Sequence, residues 1–321
     1  MVASIIWLVL GLILILGGAN FLTDGASALA KKWGMSELTV GLTVVAFGTS
    51  APELAISVIS AISGNTGLAL GNVIGSNIFN ICMIIGITAL IYPIKVEKSV
   101  LSNDIPFVVL SSILILVLGC KSILDDNSSN IVTRVDGIIL LIFFLIFIRY
   151  TFSSSAQEPQ DGIQPQIKNK EEKKSWKLWL MTLGGLSALL FGGDKFVDGA
   201  SDLALGMGVS ETIVGLTIVS MGTSFPELAT SIVAAKKGKA DLAVGNVIGS
   251  NLFNIFLVLG CSAVITPIPF GNIGIIDTST LLIASLLFWL FGWKIKHRTI
   301  TRPEGAILVL LYAAYLAYLI I

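Results

Sequence analysis

Two glutamates, Glu53 and Glu227, sit inside otherwise apolar stretches, each closing the string Gly-Thr-Ser-x-Pro-Glu: Gly48, Thr49, Ser50, Pro52, Glu53 and Gly222, Thr223, Ser224, Pro226, Glu227. A charge in the middle of a membrane-spanning helix is costly, so such a residue faces the protein interior and has a partner. Proline cannot donate to the carbonyl four residues earlier, which frees the Gly48 and Gly222 carbonyls. Non-helical backbone at that depth is tolerated where it lines a cavity or is buried in protein. A second string, Gly-Asn-x-x-Gly-Ser-Asn-x-Phe-Asn, also occurs twice and supplies Ser76 with Asn80 and Ser250 with Asn254. Each of these pairs is spaced i, i+4 and so shares one helix face. Asn72, Asn77, Asn246 and Asn251 suit interhelical scaffolding as well as they suit the site. A lone copy of either string would read as a proline kink or as polar glue, but two symmetric copies read as a two-fold ion site.

The donors are two carboxylates, hydroxyls, amide oxygens and loosened carbonyls, all of them hard oxygens. Calcium takes six to eight such ligands in flexible geometry, magnesium demands a tight octahedron, and transition metals prefer imidazole or thiolate. Two carboxylates balance one divalent cation, and hydroxyl and carbonyl subsites suit monovalent ions. Once calcium leaves, the paired glutamates repel each other unless sodium or protons replace it, which is a physical basis for obligatory exchange.

The elements that must position these residues come from a duplication. Residues 41–81 and 215–255 match at 26 of 41 positions without a gap, and the offset of 174 holds upstream to residue 18. The chain of 321 residues is 55% hydrophobic and only 12% charged, with a mean hydropathy of +0.91. Soluble domains carry about 25% charged residues, so this is a membrane protein. Apolar runs of the length that crosses a bilayer fall near 3–29, 38–62, 67–92, 102–120, 131–150, 177–204, 211–235, 241–266, 276–293 and 303–321. The expectation is an all-α polytopic protein of ten spans in two five-helix repeats, 1–150 and 177–321, joined by a polar linker at 151–176. The first span has no basic n-region, and its Asp24-Gly25-Ala26-Ser27 returns as Asp198-Gly199-Ala200-Ser201. It therefore reads as a structural helix rather than a secretory signal.

Lysine and arginine mark cytoplasmic loops. Leaving aside Lys195 within a span, with the N-terminus outside seventeen of them face in and only Lys121 and Arg134 face out. Both termini are then extracellular, the linker is cytoplasmic and the setting is the plasma membrane. Lys236, Lys237 and Lys239 align with the uncharged Ile62, Ser63 and Asn65, whereas Lys31 and Lys32 align with Leu205 and Gly206. An odd number of spans per repeat with this exchange of charge means that the repeats are inverted. Inverted repeats place ion sites near the bilayer midplane and work by alternating access.

Other classes fit less well. Net charge is zero, so nothing recommends nucleic acid as a partner. No hydrolytic motif is present, and no nucleophile stands beside a base, so the chain does not read as an enzyme. Cys82, Cys120 and Cys261 do not align between halves and read as free thiols, and His297 reads as a loop residue. No prosthetic group and no obligate protein partner is evident; the partners are the lipid bilayer and the transported ions. A channel could use similar oxygens, yet channels commonly place filters on an oligomer axis, and this chain builds its two-fold site alone.

The doubled GTSxPEL and GNVIGSN-x-FN strings closely resemble the two alpha repeats of the calcium/cation antiporter superfamily, in particular the prokaryotic sodium/calcium exchangers, with a likeness running from about residue 2 to 320. The resemblance implies that Glu53 and Glu227 bind calcium and also sodium, helped by Thr49 and Thr223. It assigns sodium sites to Ser50, Ser224, Ser76 and Ser250 with carbonyls near Ala46 and Ser220, and it implies long first and sixth spans that slide across the rest. Asn80 and Asn254 complete the metal set. Well-studied sodium/calcium exchangers carry aspartate at the position of Asn254, so symmetric asparagines also suit a proton-coupled calcium exchanger. Sodium is the preferred coupling ion because the Thr-Ser pairs and small serines suit sodium dehydration. A linker this short leaves no room for the calcium-sensing domains of eukaryotic exchangers.

Overall fold

The computed structural model describes residues 2–124, 129–155, 175–208, 220–271, 273–294 and 298–320. His297, the basic positions 168–174 and 296, and residues 215–219 of the second repeat lie outside the described residues. The helices are α1 (Val2–Trp33), α2 (Glu37–Thr49), α3 (Ala51–Ile62), α4 (Thr66–Ile91), α5 (Val100–Gly119), α6 (Arg134–Ser155), α7 (Ser175–Gly206), α8 (Ser220–Gly222), α9 (Phe225–Lys236), α10 (Ala240–Ile265), α11 (Ile275–Lys294) and α12 (Arg302–Ile320). Among the described residues, seven helices are long and apolar enough to cross a membrane, or eight if the bent pair α2 and α3 counts as one span.

Burial orders the helices into an inner and an outer set. The most apolar windows of α4 and α10 are 72% and 78% buried, against 28% for both α1 and α7. The main apolar cluster joins α4, α5, α6, α10, α11 and α12 through residues such as Ile78, Ile84, Phe147, Phe256 and Phe288. A smaller cluster joins α1 and α7 to α2, α9 and α10 through Leu22, Ala26, Val45, Leu189 and Ala234.

The repeats are inverted, and glycine contacts show it directly. Gly11 lies against Gly192 and Phe196, Gly18 against Gly185 and Leu189, and Gly25 against Thr182. The partner number falls as the residue number rises, so α1 and its counterpart α7 run antiparallel. Gly11, Gly18 and Gly25 are spaced by seven, as are Gly185, Gly192 and Gly199. A seven-residue repeat keeps one seam facing its partner, and glycine in that seam lets the backbones approach closely.

The symmetry continues past residue 255, with the offset of 174 kept from Ile94 to Ile268 and shortened to 168 from Ile131 to Thr299. Strands β1 (Ile94–Lys95) and β4 (Thr299–Ile300) pair antiparallel, as do β2 (Ile131–Val132) and β3 (Ile268–Pro269). Thr133 donates to Asp136 and Thr301 to Glu304 at the starts of α6 and α12. Arg134 donates to the Val264 and Ile265 carbonyls, and Arg302 to the Leu90 carbonyl. These ties gather Lys95, Arg298 and Arg302 at one end of the bundle, and Lys121 and Arg134 at the other.

Candidate functional site

Both glutamates stand at a helix break. α2 and α3 meet at a bend of 47°, with Ser50 between them at φ −84° and ψ 6°. Pro52 and Glu53 then occupy the first turn of α3. Proline is tolerated there because that N–H has no intrahelical acceptor in any case, and the positive end of the half-helix favours the carboxylate. The second half repeats the design: Ser224 has φ −94° and ψ 4°, and Pro226 and Glu227 open α9. Glu53 is 1% exposed and Glu227 0%.

The hydroxyls serve the glutamates crosswise. Ser50 Oγ donates to Glu227 Oε1 at 3.2 Å, and Ser224 Oγ to Glu53 Oε1 at 3.4 Å. Ser250 Oγ reaches the same Glu227 oxygen at 3.5 Å. The sequence spacing sets Ser50 and Ser224 beside the glutamate of their own repeat; the structure hands each of them to the other one, while Ser250 stays with the glutamate of its own repeat. Asn80 and Asn254 behave likewise. The helical turn at Asn80 packs against α9, which carries Glu227, and the turn at Asn254 packs against α3, which carries Glu53. Both asparagines sit in widened π-helical turns, Asn80–Ile85 and Phe253–Leu259, a local defect frequent at functional sites.

Much of this oxygen is left without a protein donor. Glu53 Oε2, Glu227 Oε2, Ser76 Oγ, Thr223 Oγ1 and the Oδ1 of Asn80 and Asn254 are buried with no hydrogen-bond partner, and the Nδ2 donors of the two asparagines have no acceptor. Buried polar groups are ordinarily satisfied, and two buried carboxylates call for counter-charge. Hard cations meet both needs. Among the described residues no group of three or more His, Cys, Asp or Glu could hold a metal ion, so the set stays at two acids plus neutral oxygens. A cavity of about 790 Å³ reaches this region from one face, lined by Trp7, Pro52, Asp194, Asp198, Thr223 and Pro226 among others.

The family described as sodium/calcium exchanger protein matches residues 3–153 and 177–321. The chain belongs to this family. It is 32% identical to the sodium/calcium exchanger MaX1 of Methanosarcina acetivorans, over 97% of both chains. It is 35% identical to the inner membrane protein YrbG of Escherichia coli, over 97% of this chain and 94% of that one. Among solved structures, the sodium-calcium exchanger NCX_Mj soaked with zero Na+ and Ca2+ superposes with a TM-score of 0.84 at 32% identity, covering 99% of both chains.

Within this exchanger the remaining expected residues divide. Thr49 is fully buried, and its one hydroxyl proton has three acceptors in reach: the Val45 carbonyl at 3.1 Å, the Ala46 carbonyl at 3.4 Å and Asn246 Oδ1 at 3.2 Å. The Ala46 carbonyl also accepts the Ser50 N–H at 2.9 Å. Ser220 opens α8, and its side chain is outside the described residues. Asn72 and Asn246 each tie a site glutamate's backbone to a serine. Asn72 Nδ2 holds the Glu53 carbonyl at 3.3 Å and Ser57 Oγ at 3.0 Å, and Asn246 Nδ2 holds the Glu227 carbonyl at 3.4 Å and Ser231 Oγ at 3.1 Å. Asn77 and Asn251 bond back to Val73 and Val247 on their own helices. Ser57 and Ser231 were not singled out in the sequence, although both stand one turn beyond a glutamate, at i+4. The three cysteines are free thiols.

Proposed function

We propose that this exchanger moves Ca2+ against Na+ by alternating access at the chamber between the two broken helices. The observation that carries the reading is the crosswise network, in which two buried glutamates each accept from the other repeat's serine and keep a second oxygen unpartnered. Glu53 and Glu227 hold Ca2+ between them, with Thr49, Thr223, Asn80 and Asn254 around it. Ser50, Ser224, Ser76 and Ser250, with the Ala46 and Ser220 carbonyls, take Na+. Protein hydroxyls keep one face of each carboxylate hydrogen-bonded while ions exchange at the other, so the empty site is not left with bare charges. Removing the cation without replacement leaves two like charges in a low-dielectric interior, and that penalty couples the two fluxes. No step needs a covalent intermediate or prosthetic group, and the chain acts as a transporter rather than an enzyme.

The chain crosses the membrane ten times as two inverted repeats, 1–150 and 177–321, with both termini extracellular and the 151–176 linker cytoplasmic. Its own sequence supports this: the faces that gather basic residues are those the positive-inside rule assigns to the cytoplasm.

The deciding experiment is calcium uptake into proteoliposomes loaded with sodium, against potassium-loaded and pH-gradient controls, with the membrane potential clamped. Uptake that requires outward sodium supports the reading. Uptake driven by an outward proton gradient instead moves the exchanger to proton coupling, and uptake with no counter-ion at all makes it a channel.

A further inference from the structure

Because α1 and α7 are counterparts, every contact that ties α1 to the rest has an equivalent position on α7. Asp24 of α1 pairs with Lys237 at 2.9 Å and Lys239 at 3.3 Å, both in the turn between α9 and α10. The same lysines donate to the Asn20 and Thr23 carbonyls, each at 3.3 Å. One turn further along α1, the Ser27 hydroxyl is buried and donates to Glu37 at the start of α2.

The equivalent positions, offset by 174, are Asp198 for Asp24, Ser201 for Ser27, and Ser63 and Asn65 for the two lysines. The two turns share one backbone. Gly64 and Gly238 both adopt left-handed φ, at 77° and 73°. Asn65 N–H reaches the Ser60 carbonyl at 2.8 Å, as Lys239 N–H reaches that of Ala234 at 2.9 Å. Only the side chains differ. Asp198 pairs with Lys195 of its own helix at 2.7 Å, the Ser201 hydroxyl has no partner among the described residues, which do not include Glu211, the counterpart of Glu37, and both residues line the cavity. The cavity lies on the Asp198 side, where the turn at 63–65 carries no lysine.

We propose that Asp24 with Lys237 and Lys239 forms an ionic latch that holds the Lys237 face of the exchanger closed, and that its absence from the first repeat makes the two access states unequally populated. The latch rests on the alternating-access reading but not on which residues hold the ions. Its strength suits a cycling transporter. Asp24 is 48% exposed and the lysines 28% and 20%, and partly exposed pairs contribute little each, so the latch biases an equilibrium without freezing it.

The test labels single reporter cysteines, Ser27→Cys and Ser201→Cys, with a membrane-impermeant maleimide applied from either side of oriented proteoliposomes. Asp24→Asn should raise labelling at position 27 and lower it at 201, changing their ratio by roughly three- to tenfold, the range expected from losing two surface pairs. Lys237→Ser with Lys239→Asn writes the first repeat's turn into the second and should act the same way, which guards against a misfolded Asp24 variant. The reciprocal change, Ser63→Lys with Asn65→Lys, should build the mirror latch onto Asp198 and protect position 201, and adding Asp198→Asn should abolish that protection. If sodium and calcium shift the labelling but the latch variants do not, or if protection at 201 survives Asp198→Asn, the latch is overturned. If no ion shifts either reporter, alternating access fails and the latch with it.

Discussion

Ser50 donates its hydroxyl to Glu227, 177 positions away in the chain and 3.2 Å away in space. The nearer glutamate in sequence, Glu53, takes its hydroxyl from Ser224. Each carboxylate is therefore built by both repeats, and neither half alone assembles an ion site.

Crosswise sharing fixes which substitutions must interact. Ser50 and Ser250 both donate to Glu227 Oε1, so Ser50→Ala and Ser250→Ala should be non-additive in apparent calcium affinity by about 0.5–1.5 kcal/mol. Ser50→Ala and Ser224→Ala act on different carboxylates and should combine within about 0.5 kcal/mol. Calcium-dependent flux measured on the three single and two double variants decides it. Additivity of Ser50→Ala with Ser250→Ala would take Ser50 away from Glu227.

Glu53→Gln and Glu227→Gln preserve side-chain volume and remove the charge. Each should reduce exchange at least about 100-fold, as losing a buried charge contact of about 3 kcal/mol requires, while the protein still elutes as a single species on size exclusion. On the proposed reading, protons and cations compete in the wild type for the same two carboxylates. Apparent calcium affinity should then fall as pH is lowered and rise as it is raised until both are ionised. Normal exchange in either glutamine variant would remove the glutamates from the site.

Asn254 is fully buried with both amide ends unpartnered, and its turn packs against the helix of Glu53. Asn254→Asp adds a third negative charge to a chamber that holds two, with room for one more monovalent cation. The expected outcome is a changed reversal potential for sodium-driven calcium flux and a steeper pH dependence. Stability without ions should fall, because like charges repel, and should recover on adding calcium. A reversal potential and pH profile identical to the wild type would show that this position does not see the ions.

The fold was legible because membrane helices announce themselves by length and because Glu53 and Glu227 lie in near-identical strings. The crosswise partnership was not, since a repeat read on its own shows Ser50 only three residues from Glu53. The asparagines were legible as a group but not by role: Asn72 and Asn80 are of one type and lie eight residues apart, and only three-dimensional packing sends the first to a carbonyl and the second to the chamber. The π-helical turns left no trace in the sequence. The outer part of the duplication did, as Val132-Thr133-Arg134-Val135-Asp136-Gly137 against Ile300-Thr301-Arg302-Pro303-Glu304-Gly305. That match lies at an offset of 168, outside the register of 174 that aligns the core motifs.

The glycine seam between α1 and α7 separates packing from composition. A Cβ on Gly18 would stand 2.6 Å from the Leu189 nitrogen and 2.7 Å from the Gly185 oxygen, both backbone atoms, whereas one on Gly17 would meet nothing within 4 Å. Backbone cannot yield as a flexible side chain can, so Gly18→Val must push the two helices apart along a seam in which Gly11–Gly192 and Gly18–Gly185 face each other. The expected outcome is a drop of several degrees in Tm in detergent and loss of exchange for Gly18→Val, from overpacking of about 1–3 kcal/mol. Gly17→Ala should be neutral or gain up to about 1 kcal/mol through helix propensity. The pair on the facing helix should repeat the contrast, because a Cβ on Gly185 would meet the Leu22 nitrogen at 2.5 Å and one on Gly184 nothing within 4 Å. Equal tolerance at Gly17 and Gly18 would mean that α1 and α7 do not pack at this distance, and the inverted pairing that positions both broken helices would need to be redrawn.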